Sequence, residues 1–119
     1  MNKRDTAIQR NNRARLVRHS NRCGSHRGCV RLSTSVTWEH ELAKTKLAWE
    51  LMKRGHEVLT EAIFETGGRA DVLDLDTGIA YEIVKSESID SLQAKARKYP
   101  QGISIVAVDS MTGEETYVR

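Results

Sequence analysis

The clearest hydrophobic periodicity lies in "WEHELAKTKLAWELMK", residues 38–53. Leu42, Ala43, Leu47, Leu51 and Ala48, Trp49, Met52 recur there at helical spacing. Thr37 supplies the cap region, and Lys53-Arg54-Gly55 closes the helix with positive charge and a glycine stop. The period then changes. "HEVLTEAIFE" alternates loosely and is rich in β formers, which predicts a strand over residues 57–64. Residues 65–68 (Glu-Thr-Gly-Gly) read as a turn. Two further strands, over 69–75 and 79–85, flank the turn signal Asp76-Thr77-Gly78. "SIDSLQAKARKYP" predicts a second helix, ended by Pro100. "ISIVAVD" is a nearly continuous apolar run, the pattern of a strand buried on both faces, and "EETYVR" is a candidate edge strand. There are no internal repeats.

The order α, β, β, β, α, β predicts an α/β (α+β) fold. Three antiparallel strands are followed by a helical crossover to a fourth, giving a mixed central sheet flanked by helices. A length of 119 residues suits one domain, and 39% hydrophobic content suits a modest core. Residues 37–119 form the expected body. Residues 1–36 read as a basic N-terminal arm, disordered or zinc-binding, in which "IQRNNRARLVRHS" could make one helical turn or two, by itself or only on a partner. No apolar run approaches the ~18 residues of a membrane span, and the N-terminus lacks the apolar block of a signal peptide. A cytoplasmic protein with no membrane partner is expected.

Charge sharpens the division. Residues 1–32 carry nine Lys/Arg against Asp5 alone, whereas the remainder carries ten bases and fifteen acids. A basic arm on an acidic body suits a polyanion, with nucleic acid the usual candidate. Arg13, Arg15 and Arg18 are the expected phosphate contacts; a solvated tail without a specific partner is the alternative. Both cysteines lie in this arm, in the pattern His19-x3-Cys23-x2-His26-x2-Cys29. Four thiol and imidazole ligands match the count of a structural zinc site, but the spacing is tighter than in paired zinc motifs. A flexible arm with incidental Cys and His is the favoured reading, and Zn²⁺ the alternative.

The acids of the hairpin raise a question. Folding the chain at 76–78 brings Asp71 opposite, or one place from, Glu82. Facing carboxylates on one sheet face repel. A one-residue slip would send one of them to the other face. Alternatively both point into a cleft and share a hard cation, Mg²⁺ or Mn²⁺, for which carboxylate oxygens are the preferred ligands. Such a cation could activate water and stabilise charge at a phosphate.

A first helix bearing an acid, then Asp71-(x10)-Glu82 on a hairpin, then a helix and a buried strand, resembles the PD-(D/E)XK nuclease superfamily. That group includes restriction enzymes, RecB-like nucleases and archaeal Holliday-junction resolvases. The resemblance covers about residues 38–109. It is nearest to the CoiA-like competence family, through His40-x3-Lys44, Arg69-Ala70-Asp71-Val72, and Glu82 with Ser86 and Ile89 following. The RecB-like Q-x3-Y pattern is matched by Lys95-x3-Tyr99, with Lys in place of Gln. The resemblance implies a restriction-endonuclease-like core and a Mg²⁺-dependent DNA endonuclease. Asp71 and Glu82 would hold the metal, and Glu41, with Glu39 and Glu50 as rival first-helix acids, would orient a water or a second cation. His40, Lys44 and Arg69 would contact the nucleic acid. A nuclease of this size that cuts both strands would form a homodimer.

The chain departs from the family at the lysine. The signature places it two residues after the Glu, where this chain has Val84. Lys85 follows on the opposite strand face. The amine is expected to come from Lys95, as general base or phosphate clamp; a bulge bringing Lys85 round is the second option, and a silent site the third. The alternative function is a catalytically silent nuclease-fold DNA-binding or regulatory protein. A further one is a zinc-bound interaction element on an inert scaffold.

Overall fold

The computed structural model describes residues 2–18, 27–85 and 89–119, the last span by its backbone alone at Ile89. Eight elements follow in order: α1 (Lys3–Ala14), α2 (Trp38–Lys53), β1 (Val58–Ile63), β2 (Arg69–Asp74), β3 (Ile79–Val84), α3 (Ile89–Ala96), β4 (Ser104–Asp109) and β5 (Glu115–Tyr117). The strands form one mixed sheet in the order β1-β2-β3-β4-β5. β1, β2 and β3 are antiparallel, β4 runs parallel to β3 after the α3 crossover, and β5 returns antiparallel along β4. This is an α+β protein with a mixed sheet flanked by helices; from α2 to β5 its elements come in the order that the periodicity predicts, and α1 is additional. No helix among the described residues is long and apolar enough to cross a membrane.

Local chemistry sets the ends of α2. The Thr37 hydroxyl accepts the His40 N–H at 3.2 Å, and Glu39 and Glu41 place negative charge in the first turn. At the other end Gly55 takes φ +87°, and the N–H groups of Gly55 and His56 return to the carbonyls of Met52 and Leu51. Those two bonds satisfy helix-terminal carbonyls, and the left-handed turn they need is open to glycine without a Cβ penalty.

Each face of the sheet carries a core. One contains Leu59, Phe64, Leu73, Ile105, Leu92 of α3 and Tyr99. The other is roofed by α2, whose Ala48 and Leu51 lie on Val58, Val72, Tyr81 and Ile83.

The N-terminal arm belongs to this architecture over its described length. Instead of one or two turns, residues 3–14 form a three-turn helix capped by Asn2, which accepts the Asp5 N–H at 2.9 Å. Ala14 and Val17 are buried in the first core, and Val17 bridges to Phe64 at the end of β1. Arg10 grips Asp76 through two nitrogens at 2.9 and 2.8 Å. Arg13 donates to the carbonyls of Leu75 and Asp76 at 2.7 and 2.6 Å. The helix is thus ordered by contacts far away in sequence, which helical periodicity does not encode.

Candidate functional site

The site lies where the sheet splits. β1 and β2 stay paired as far as Ile63–Arg69, and β3 and β4 as far as Val84–Asp109. Between β2 and β3, pairing runs only from Asp74–Ile79 to Val72–Tyr81. Continuing that register sets Asp71 level with Glu82. The next backbone donor, Ile83 N–H, is taken by the Asp71 carboxylate at 2.8 Å. A cleft of about 700 Å³ opens beyond, lined by Asp71, Glu82, His40, Glu61 and Arg69, with Lys95, Lys98 and Tyr99 on its far wall. The two hairpin acids therefore do share a cleft.

Strand geometry is distorted at this level. Leu59 and Leu73 pack in the first core, Val58 and Val72 in the second. Strict alternation would put Ala62 and Ala70 with the second pair, yet both pack in the first. The switch occurs at Glu61, which takes φ +55° in mid-strand. A left-handed non-glycine residue costs about 1–3 kcal/mol and holds only where its surroundings fix it.

A chain of groups with alternating charge provides that fixing. His40 Nε2 lies 3.3 Å from Asp71 Oδ2, and His40 Nδ1 lies 3.0 Å from Glu41 Oε1. Lys44 Nζ is 2.6 Å from Glu41 Oε2 and 3.1 Å from Glu61 Oε1. Arg69 closes the series 3.4 Å from the second oxygen of Glu61. The spacing of α2 makes this possible: Lys44 lies about one turn on from both His40 and Glu41. The Lys44 ammonium spends its third proton on the Arg31 carbonyl at 2.5 Å, so all three donors are used and the side chain has no exposed surface.

Electrostatics follow from these contacts. Hydrogen bonding to Asp71 is the main influence on His40; it outweighs burial and, with the Glu41 contact, raises the imidazole above its ordinary range. Burial would raise the Glu41 carboxyl, but Lys44, the Ser33 N–H and His40 together hold it below the usual carboxylate range. Across the cleft, the Tyr99 hydroxyl is bonded to Glu82 Oε1 and lies 2.5 Å from the Arg69 carbonyl. Burial first, and the Glu82 charge second, push its ionisation far above the ordinary phenol range.

The candidate residues fall into distinct groups. Asp71, Glu82, His40, Arg69 and Lys95 line one cleft. Glu41 and Lys44 lie buried behind it, so Lys44 is a support beneath the site and has no surface to offer a nucleic acid. Val84 is half-buried against the first core, and Lys85 is exposed and does not line the cleft. In the arm, the Arg13 guanidinium is committed to two backbone carbonyls, while Arg15 and Arg18 are exposed. His19, Cys23 and His26 lie outside the described residues; Cys29 is an exposed free thiol. Three participants are not among the residues that the sequence puts forward: Glu61 lies within the expected first strand, Ser33 within the expected arm, and Gly68 within the expected turn. A Cβ at Gly68 would lie 2.3 and 2.5 Å from Tyr99 ring carbons, so its bareness admits the ring that holds Glu82.

Among the described residues, no three of His, Cys, Asp and Glu converge as a metal cage would. The Asp71–Glu82 pair still suits a hard cation of the Mg²⁺ type, which commonly takes one or two carboxylates and completes its shell with water and phosphate oxygens. No protein-family model matches this chain, and neither a curated protein nor a solved structure does.

Proposed function

We propose that the protein is a metal-dependent DNA endonuclease working at the Asp71–Glu82 cleft. One observation carries the reading: two carboxylates from adjacent strands meet at an opening in the sheet that also receives Lys95 and His40. Asp71 and Glu82 would hold Mg²⁺ or Mn²⁺, which supplies an activated water and charge stabilisation at phosphorus. The chain's own groups do the positioning. Ile83 N–H and His40 orient Asp71, and Tyr99 orients Glu82. Lys95 supplies an ammonium on the cleft wall to hold the scissile phosphate, and Arg69, 58% exposed at its side chain, offers a fork for a neighbouring one. Exposed arm residues such as Arg15 add phosphate contacts that position without reading sequence.

The test is incubation with plasmid, linear duplex and branched DNA in Mg²⁺, Mn²⁺ or EDTA, beside Asp71→Asn and Glu82→Gln. Metal-dependent cutting by the wild type alone is expected. A second reading, a nuclease-fold DNA-binding module that does not cut, is favoured by Val84 at the signature lysine position. Binding of these DNAs by all three proteins with no cutting by any would replace the first reading with the second.

A further inference from the structure

We infer that the outer face of α2 is a dimer interface between two copies of this chain, packed antiparallel about a two-fold axis. This stands apart from the proposed chemistry. α2 carries two stripes. Glu41, Lys44, Ala48 and Leu51 are buried against the body. Trp38, Leu42, Thr45 and Trp49 form a second stripe at i, i+4, i+7, i+11, the spacing of a helix–helix seam. Trp38, Leu42 and Trp49 are 65%, 51% and 56% exposed. Thr45 directs its hydroxyl to the Glu41 carbonyl at 2.8 Å, so its polar group is spent on the helix itself. A fully covered tryptophan buries about 150–250 Å². Two more than half exposed on one helix face, with a leucine between, make a patch of the size that marks an interaction surface.

The flanking charges select the occupant. Glu39 and Lys46 are exposed, lie on one flank of the stripe, and have no ionic partner among the described residues. When a second α2 lies antiparallel, Trp38 meets Trp49 of the other copy and Leu42 meets Thr45. Glu39 then lies within two residues of level with Lys46 of the other copy, about 3 Å along the axis, and the symmetry makes this pair twice. Parallel packing would instead place the two Glu39–Lys46 flanks on opposite sides of the seam, where neither pair can form. The face is complementary to itself in one orientation.

Sedimentation equilibrium over a roughly thousandfold concentration range, read beside tryptophan emission, tests this. Both of the chain's tryptophans lie in the stripe, so emission reports the interface directly. The expected result is a rise from 13.4 kDa to twice that mass, with a blue shift following the same isotherm. Leu42→Glu should remain monomeric with an unchanged circular dichroism spectrum, its side chain being half outside already. Glu39→Lys and Lys46→Glu should each weaken the dimer roughly tenfold through two symmetric pairs, and the double reversal in one chain should restore it. A monomer at every concentration, a dimer indifferent to Leu42→Glu, or a double reversal no better than the single ones would overturn the inference.

Discussion

Lys44→Met isolates the electrostatic role of the group beneath the cleft. Methionine keeps much of the unbranched stem, so packing changes little, while the ammonium disappears. Its departure removes contacts of 2.6 Å to Glu41 and 3.1 Å to Glu61, both buried acids, and the bond to the Arg31 carbonyl. Breaking a buried ion cluster by deleting one partner costs about 3–5 kcal/mol, because the remaining charges stay desolvated without compensation. That is a large fraction of the 5–15 kcal/mol, roughly, by which whole domains are stable. With a urea slope of about 1–3 kcal/mol per molar, the midpoint should fall by roughly 2 M at unchanged slope. The penalty should shrink in acid. Glu41 is held below the usual carboxylate range, so its contribution is present above the unfolded value and is lost as pH falls through the folded one. Glu41→Gln and Glu61→Gln added to Lys44→Met should recover most of the loss, since a neutralised cluster needs no counter-charge. A loss under about 1 kcal/mol at neutral pH, against the range expected for a broken buried cluster, would refute the argument. So would a loss that the two glutamines do not repair.

Three further outcomes follow from the same geometry. His40 is raised above the ordinary imidazole value of 6.5, so its stabilisation should be complete below that pH and fade as pH rises through the folded value; thermal melts across this window should show the decline in wild type and not in His40→Gln. Gly68→Ala sets a methyl against the Tyr99 ring and 3.2 Å from the Lys98 carbonyl, and should cost about 1–3 kcal/mol in urea unfolding; a neutral substitution would show that the ring does not need this approach. Arg10→Ala removes two contacts to Asp76 and a 2.8 Å bond to the Gly55 carbonyl, and should cost about 2 kcal/mol. Amide exchange in residues 3–14 should accelerate most, and unchanged protection there would contradict the anchoring role.

What the sequence disclosed divides along a physical line. Helical and strand periodicity marked α2, the three-strand meander and β4, because each buries a face along its own length. The turn at 76–78 places Asp71 opposite Glu82 or one residue away, since a hairpin's register is set locally, and the observed register decides for the level position. α1 was underestimated: the contacts that order it, Arg10 with Asp76 and Val17 with Phe64, join segments about fifty or more residues apart. Lys44 reads in the sequence as a nucleic-acid contact because its long aliphatic stem hides where the ammonium ends. Tyr99 was legible as a residue near the site, but its bond to Glu82 depended on the bare α-carbon of Gly68.

The buried charges explain how two facing acids are tolerated beside an apolar core. Asp71 is answered by His40, His40 by Glu41, Glu41 by Lys44, Lys44 by Glu61, and Glu61 by Arg69 at the cleft mouth. The same series holds Glu61 in a left-handed conformation that an ordinary strand residue would avoid. Stability alone does not call for this arrangement, since well-packed apolar side chains often serve as well as a buried ion cluster or better. What the series does provide is fixed direction: it orients one hairpin acid from the α2 side, while Tyr99 orients the other from beyond α3. Backbone strain, a spent lysine and two carboxylates held from opposite walls converge on one opening in the sheet. Strain held in place by surrounding contacts is the kind of outlier from which function is inferred, and here it stands beside the two acids that the proposed chemistry requires.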